Sequence, residues 1–367
     1  MIMKKILTYI LSALVLCSCD MDLTPKNTVT DDDLMGSSKG MAIYMARLYS
    51  FMPFEDFKYM AAWGFNFNGW LGTLGIDGCG EAMNRDDVFR TVLIHDANHL
   101  LEELPEHKSH FTDAEFNFFM GQGYFVRAYV FYQMARRFGG IPLVTSTIAY
   151  PNESSALEVP RASEEQTWDQ ICDDFDMAIS LLPQTTLLSG LPNKYAALAF
   201  KAEAMLYAGS VAKYNETVSG RLTGLGSKTG VRVIGFDSGS YKQAYTRYFS
   251  ESYKAAREVM KSGAYSLYKK KWVAGDKDAM YQNMVDMFSD LTSPENIFVK
   301  EYQYPSLTHG LDAYSSPFIF RDPLCSGSCP SLDFVELFDG FERYADGTIK
   351  VTDGADNTHG HYLLFDS

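Results

Sequence analysis

The sequence predicts a mainly α-helical fold, in which tetratricopeptide-like helix pairs form a scaffold and an irregular, loop-rich C-terminal part follows. Apolar residues recur with a period of 3.6 residues through most of the chain up to about residue 265. These runs end at glycine or proline and are joined by short connectors. From about residue 266 to 367 the apolar runs are short and separated by Pro, Gly and Ser, which predicts irregular structure with short strands or helices. We expect one domain over 34–367, with its helical scaffold at about 37–265.

The first 18 residues have the plan of a bacterial export signal. Two lysines precede an apolar run from Ile6 to Leu16, and the small residue Ser18 stands directly before Cys19. The run is too short for a spanning helix, which needs about 20 residues. The pattern matches the lipobox of bacterial lipoproteins, so we predict cleavage before Cys19, lipidation of its thiol and a tether over 19–33. The alternative is plain secretion without a lipid.

The charge of the chain narrows the choice of partners. The formal net charge is −14, and loss of the two signal lysines takes it to −16. Such an acidic protein repels phosphate backbones, which argues against nucleic acid as a partner. It also makes neutral glycans better candidate ligands than anionic ones. Aromatic residues reach 14%, and they must either fill a core or lie exposed for binding.

Six helices follow from the apolar period and from capping signals. Ser163 with Gln166 three residues later is a capping box, and Gly139 with Gly140 ends the longest helix. The acids at 31–33 indicate a further helix start, because negative charge suits the N-terminal end of a helix. The predicted helix at 193–213 is rich in alanine, which allows a neighbouring helix to pack closely against it. The predicted helices lie at about 37–51, 87–103, 113–138, 163–182, 193–213 and 240–261.

Several charged, histidine and cysteine residues could have a chemical role, but their surroundings in the sequence favour a structural one. Arg127 lies on the apolar face of its helix, so it must be paired and is predicted to be structural. His95 and His99 share a helix face, but the general-base Glu of the zinc protease motif is missing, which makes a metal a minor alternative. We expect Cys172 to be buried and free. Cys325 and Cys329 are either a small disulfide loop or two free thiols.

Two sets of aromatic residues are candidates for ligand binding. Flat apolar rings stack on sugar faces, while amides and charged groups bind sugar hydroxyls. The first set lies in a glycine- and asparagine-rich segment, and the second follows the short apolar run at 297–299. In both cases the alternative is that the aromatic rings pack in the core. The candidate ligand-binding residues are Trp63, Phe65, Phe67, Trp70, Asp77, Asn84, Arg85, Tyr302, Tyr304 and Tyr314.

Several segments, spread over the chain, resemble the SusD/RagB family of surface glycan-binding lipoproteins. No single one is as specific as a metal-binding signature, but they occur in the family's order. They are CDMDLTP at 19–25, GYFVRAY at 123–129, FGGIPLV at 138–144, VPRAS at 159–163, NKYAA at 193–197, SGAYSL at 262–267 and PENIF at 294–298.

The resemblance implies a fold, in which the irregular C-terminal part is packed over the tetratricopeptide-like scaffold, and also a function. Members of the family are anchored by lipid at the cell surface in the outer membrane, and they bind oligosaccharides or polysaccharides. They deliver these glycans to a SusC-like TonB-dependent transporter for polysaccharide utilization, without catalytic activity and without a cofactor. Family members place glycan contacts in a loop after the first helix, comparable to 63–85. They usually continue past segments like ELFDGF at 336–341 and FDS at 365–367, so the resemblance implies a C-terminally truncated chain.

Two other functional classes remain open at this stage. The aromatic segment would also suit a surface glycoside hydrolase, although no pair of carboxylates is fixed at the separation of roughly 5–10 Å that glycoside hydrolysis requires. Helix pairs of tetratricopeptide type would also suit an adaptor that binds a protein or peptide.

Overall fold

Helices make up most of the chain that the computed structural model describes, which is residues 30–53, 90–148, 158–186, 190–217, 224–237, 239–303, 305–306 and 343–348. The helices in these ranges are α1 (Asp31–Met35), α2 (Ser38–Phe51), α3 (Thr91–Glu103), α4 (Asp113–Phe138), α5 (Glu164–Leu181), α6 (Lys194–Thr217), α7 (Tyr241–Ser262) and α8 (Lys277–Ser289). A 3₁₀ segment (Leu104–His110) joins α3 to α4. Strands β1 (Gly224–Leu225) and β2 (Arg232–Ile234) pair antiparallel, with Gly224 opposite Ile234. The mainly α prediction is confirmed.

Local capping explains where the helices begin and end. Ser163 accepts a hydrogen bond from the Gln166 amide at 3.0 Å, and the Gln166 side chain accepts one from the Ser163 amide, which confirms the predicted capping box. Thr112 and Glu115 form a second box at the start of α4. Gly139 ends that helix at a φ of 70°, a conformation that favours glycine. The acids at 31–33 form the first turn of α1, as their charge predicts.

Helices α3 to α7 pack on one another in chain order, which is the arrangement expected of helix pairs. The most extensive contact is between α6 and α7. Small residues recur along α6, where Ala204, Ala208 and Ala212 are fully buried. A Cβ atom at Gly209 would lie 2.6 Å from the ring of Phe249 on α7. The lack of a side chain at Gly209 therefore allows α6 and α7 to approach closely at this point.

The core centres on α4. The ring of Phe125 is fully buried, and it meets Phe175 of α5, Phe200 of α6 and Phe298 edge-on at centroid distances of 6.3, 5.7 and 5.6 Å. Phe298 belongs to the irregular part that follows α8. That part is thus packed over the scaffold through an aromatic contact, in agreement with the predicted architecture.

The region after α7 contains more regular structure than its composition suggests. We expected irregular structure with short strands or helices, and α8 is a helix of 13 residues. Its N-cap is Asp276, whose side chain accepts a hydrogen bond from the Ala279 amide at 3.0 Å. Within the described ranges, no helix combines the length and the apolar character needed to cross a bilayer.

Candidate functional site

Most of the residues predicted to bind ligand lie outside the described residues. The predictions that fall there are Cys19, Trp63, Phe65, Phe67, Trp70, Asp77, Asn84, Arg85, Tyr304 and Tyr314, together with Cys325 and Cys329. Tyr302 is described, and its half-buried ring lies 5.4 Å from the Lys300 ammonium. All of these assignments stay predictions. The aromatic segment ends at Arg85, six positions before α3 begins at Thr91, so the start of α3 is the described structure that follows it.

A buried polar network lies between α3, α4 and α5. The Arg127 guanidinium donates to both carboxylate oxygens of Asp174, at 2.8 and 2.7 Å. It also donates to the Asn98 side-chain oxygen at 2.9 Å. Such a planar, bidentate pair satisfies a buried charge that would otherwise cost several kcal/mol. The prediction that Arg127 is paired and structural is confirmed.

The same network fixes the loop that follows α4. Arg127 donates to the Thr145 carbonyl oxygen at 3.1 Å, and the Asn98 amide donates to the carbonyls of Val144 and Ser146 at 2.8 and 3.2 Å. Glu102 of α3 accepts from the Thr147 amide at 3.0 Å. Four consecutive residues of an irregular loop are therefore held by side chains from α3 and α4. This loop is a preorganised wall rather than a free connector.

The wall borders a cavity of about 400 Å³ next to the start of α3. Its floor consists of Ile94 of α3 and Met134 of α4, which are 5% and 1% exposed. Its sides are half-buried aliphatic groups, namely Pro142, Val144, Ile148 and Val159. Ligand pockets are typically of this size and mostly apolar. We call this feature the α3 cavity.

The rim of the α3 cavity is polar. Thr91, His95 and Ser146 line it and are exposed to solvent. Two hydroxyl groups and an imidazole offer donors and acceptors where the cavity opens, and the apolar groups lie beneath them. None of the described lining residues is a carboxylate. Sequence reasoning singled out His95 only for metal binding and did not find the cavity.

The histidine pair on α3 shares a face, as predicted. The rings of His95 and His99 are parallel within 6° and their centroids are 6.3 Å apart. The Nε2 atom of His99 lies 3.0 Å from a carboxylate oxygen of Asp31, which ties α1 to α3. His95 points to the cavity rim instead. His99 thus contacts α1, whereas His95 lines the α3 cavity.

Cys172 is free and partly buried, as its helix position predicts. Burial raises the pKa of its thiol to about 12, which makes it a poor nucleophile. It lies near Asp176 and Glu251, but the Lys201 ammonium already bonds to both carboxylates, at 2.7 and 2.8 Å. Burial favours the neutral amine of Lys201, yet the hydrogen bonds to the two carboxylates outweigh it and raise its pKa. The Lys201 ammonium therefore compensates the charge of the Asp176 and Glu251 carboxylates.

Comparisons with known proteins point to one family. Residues 89–206 match the model of a SusD-like family described as starch-binding and associating with the outer membrane. This range covers α3 to the middle of α6, including the Arg127 network and most of the α3 cavity lining. SusD-like protein P2 of Formosa agariphila is 32% identical over 95 residues, which are 26% of this chain and 18% of that protein.

Solved structures share the fold. A SusD-like protein from Bacteroides fragilis superposes with a TM-score of 0.55 at 19% identity, over 87% of this chain and 55% of that chain. A SusD-like carbohydrate binding protein from the same species gives a TM-score of 0.51 at 16% identity, over 88% and 56%. The chain thus spans little more than half the length of these two structures. Residues 89–206 thus resemble the SusD-like family in sequence, and the chain is similar in fold to solved SusD-like proteins.

Proposed function

We propose that the protein is a lipid-anchored, cell-surface carbohydrate-binding protein that captures oligosaccharides or polysaccharides. It then delivers them to a SusC-like TonB-dependent transporter in the outer membrane, without hydrolysing them. The observation that carries the proposal is the SusD-like match over 89–206, on the helices that form the core of the scaffold. The aromatic residues at 63–70 supply the sugar-stacking groups that such a function needs.

A glycan screen tests the binding step. We expect the purified chain to retain neutral polysaccharides on affinity gels or a glycan array. Trp63→Ala and Trp70→Ala should each weaken that binding by about 5–150-fold, which corresponds to the loss of one binding hot spot. Trp272→Ala is the matched control, since this tryptophan lies after α7 and far along the chain from the aromatic segment. Retention unchanged in both variants would place the binding site elsewhere.

Lipidation and catalysis are tested separately. Cys19→Ser should abolish metabolic labelling by palmitate, because the thiol is the proposed acylation site, whereas Cys17→Ser should not. Product release from bound glycans would replace the binding-only proposal by the hydrolase alternative. Co-purification with a TonB-dependent transporter from detergent-solubilised outer membranes tests the delivery step.

A further inference from the structure

The α3 cavity is poorly suited to a bare sugar. A saccharide ring carries hydroxyl groups around its edge, and each must find a partner or keep its water. The floor and sides of the cavity are aliphatic, so hydroxyl groups placed there would lose hydrogen bonds. Among the described lining residues, the polar side chains belong to Thr91, His95 and Ser146, and all three are exposed at the rim. The arrangement separates an apolar interior from a polar opening.

From this geometry we infer that the α3 cavity binds an apolar substituent of a carbohydrate, such as an alkyl, acyl or aryl group, while the attached sugar lies at the rim. The inference rests on the proposed carbohydrate-binding function and names a substrate class for it. The substituent contacts Ile94 and Met134, and the sugar hydroxyls bond to the rim groups. The volume of about 400 Å³ is sufficient for an alkyl or acyl chain or for an aromatic ring system.

The rigidity of the cavity supports selective binding. Its wall at 144–147 is fixed by Arg127, Asn98 and Glu102, and its floor belongs to two packed helices. A preformed apolar pocket needs little ordering when a ligand enters, so most of the transfer free energy of the apolar group appears as affinity.

A homologous series of alkyl glycosides tests the inference. Methyl, butyl, hexyl and octyl β-D-glucoside share one sugar and differ only in the chain, and each is titrated below its micelle concentration by calorimetry. We expect affinity to rise by up to about fourfold per added methylene, the value for burying one CH₂ group, and to level off once the cavity is full. Affinity that does not depend on chain length would overturn the inference.

Variants that fill the cavity test whether the dependence of affinity on chain length arises from the α3 cavity. Val144→Trp and Ile148→Trp fill the cavity and should remove the dependence of affinity on chain length. Val92→Trp is the control, because Val92 lies on α3 but is exposed and does not line the cavity. Helical circular dichroism checks the fold, and Ile148→Trp serves if Val144→Trp misfolds. A chain-length dependence that persists in a folded cavity variant places the apolar site elsewhere and overturns the inference.

The two proposals fail in different ways. If unmodified glycans bind but chain length has no effect, the cavity inference falls and the proposed function stands. If alkyl glucosides bind through their chain in the wild type and not in the cavity variants, while no unmodified glycan binds, the apolar site is supported and general glycan capture falls.

Discussion

Helices α4 and α8 differ in the side chains that they bury: α4 buries mainly apolar ones, whereas α8 buries a polar one. Most residues of α4 are buried, and its aromatic rings form the centre of the core. In α8 only Asn283 is buried, while Tyr281, Met284, Val285 and Phe288 are exposed. These four lie on one face at helical spacing. An apolar face therefore does not by itself tell which side of a helix meets the core.

Polar contacts explain how α8 is held. The Asn283 side chain donates to the Tyr268 carbonyl and accepts from the Lys271 amide, at 2.9 and 3.0 Å. Lys271 pairs with Asp286 at 2.7 Å on the same side of the helix. Helix α4 is held by burial of apolar area, and α8 is attached through hydrogen bonds and ion pairs. The two helices should respond very differently to the same substitution.

The largest expected effect is on the core of α4. Phe125→Ala should lower the free energy of unfolding by about 3–5 kcal/mol, because it removes a fully buried ring and leaves a cavity among three other aromatic residues. Urea unfolding followed by circular dichroism measures it. A loss below 1 kcal/mol would mean that α4 is not the centre of the core.

A smaller effect is expected where α6 and α7 meet. Gly209→Ala would place a methyl group 2.6 Å from the Phe249 ring, which should cost about 1–3 kcal/mol of overpacking. Helix propensity offsets about 1 kcal/mol of that cost. In a Phe249→Ala background, Gly209→Ala should no longer lower the free energy of unfolding through this clash. If Gly209→Ala is equally destabilising in both backgrounds, the close approach is not its cause.

The ion pair between α6 and α7 gives a pH-dependent prediction. Hydrogen bonds from Lys201 and Lys254 lower the pKa of Glu251 in the folded protein. Ionised Glu251 therefore stabilises the fold above its unfolded pKa of about 4.3, and this contribution is lost as the pH falls through the lower folded value. Glu251→Gln should cost about 1 kcal/mol at pH 7 and progressively less below pH 4.

The control for this prediction is Glu258→Gln. Glu258 lies on α7, as Glu251 does, and its ion pair with Lys194 of α6 is more exposed. We expect a smaller loss there at neutral pH, since exposed pairs contribute little. Urea midpoints measured from pH 7 to pH 3 provide the comparison. An effect of Glu251→Gln that does not change with pH would contradict the assigned cause.

The smallest effect is expected on α8. Phe288 is 81% exposed, so Phe288→Ala should change the free energy of unfolding by no more than about 0.5 kcal/mol. The same change of residue type at Phe125 makes this a matched pair. A loss above 1 kcal/mol at Phe288 would show that the apolar face of α8 is covered in solution, and the contrast between the two helices would disappear.

Local patterns predicted the helices well. The bounds of α4 at 113–138 follow from its apolar period, its acidic first turn and the two glycines at its end. The capping box at Ser163 and the close packing of α6 were also evident. For α8 the sequence predicted only short elements, because proline and glycine surround a stretch of 13 residues whose polar side faces inward. Its orientation depends on partners at Tyr268 and Lys271.

The candidate cavity was not predictable in the same way. Its lining comes from α3, α4 and the residues that follow α4, and Val159 lies 68 positions after Thr91. Single residues such as Ile94 or Met134 look like ordinary core positions in the sequence. Only their juxtaposition beneath Thr91, His95 and Ser146 forms a cavity with a polar rim.

The sequence by itself determined the helical architecture, because apolar period, caps and turn residues act over a few neighbouring positions. It also required that Arg127 be paired, since a charge in an apolar face must be neutralised. The tertiary structure decided the partner, Asp174, 47 positions away, and decided which loop the network holds. It also decided which face of α8 turns outward. Long-range packing makes these choices, and no local pattern contains them.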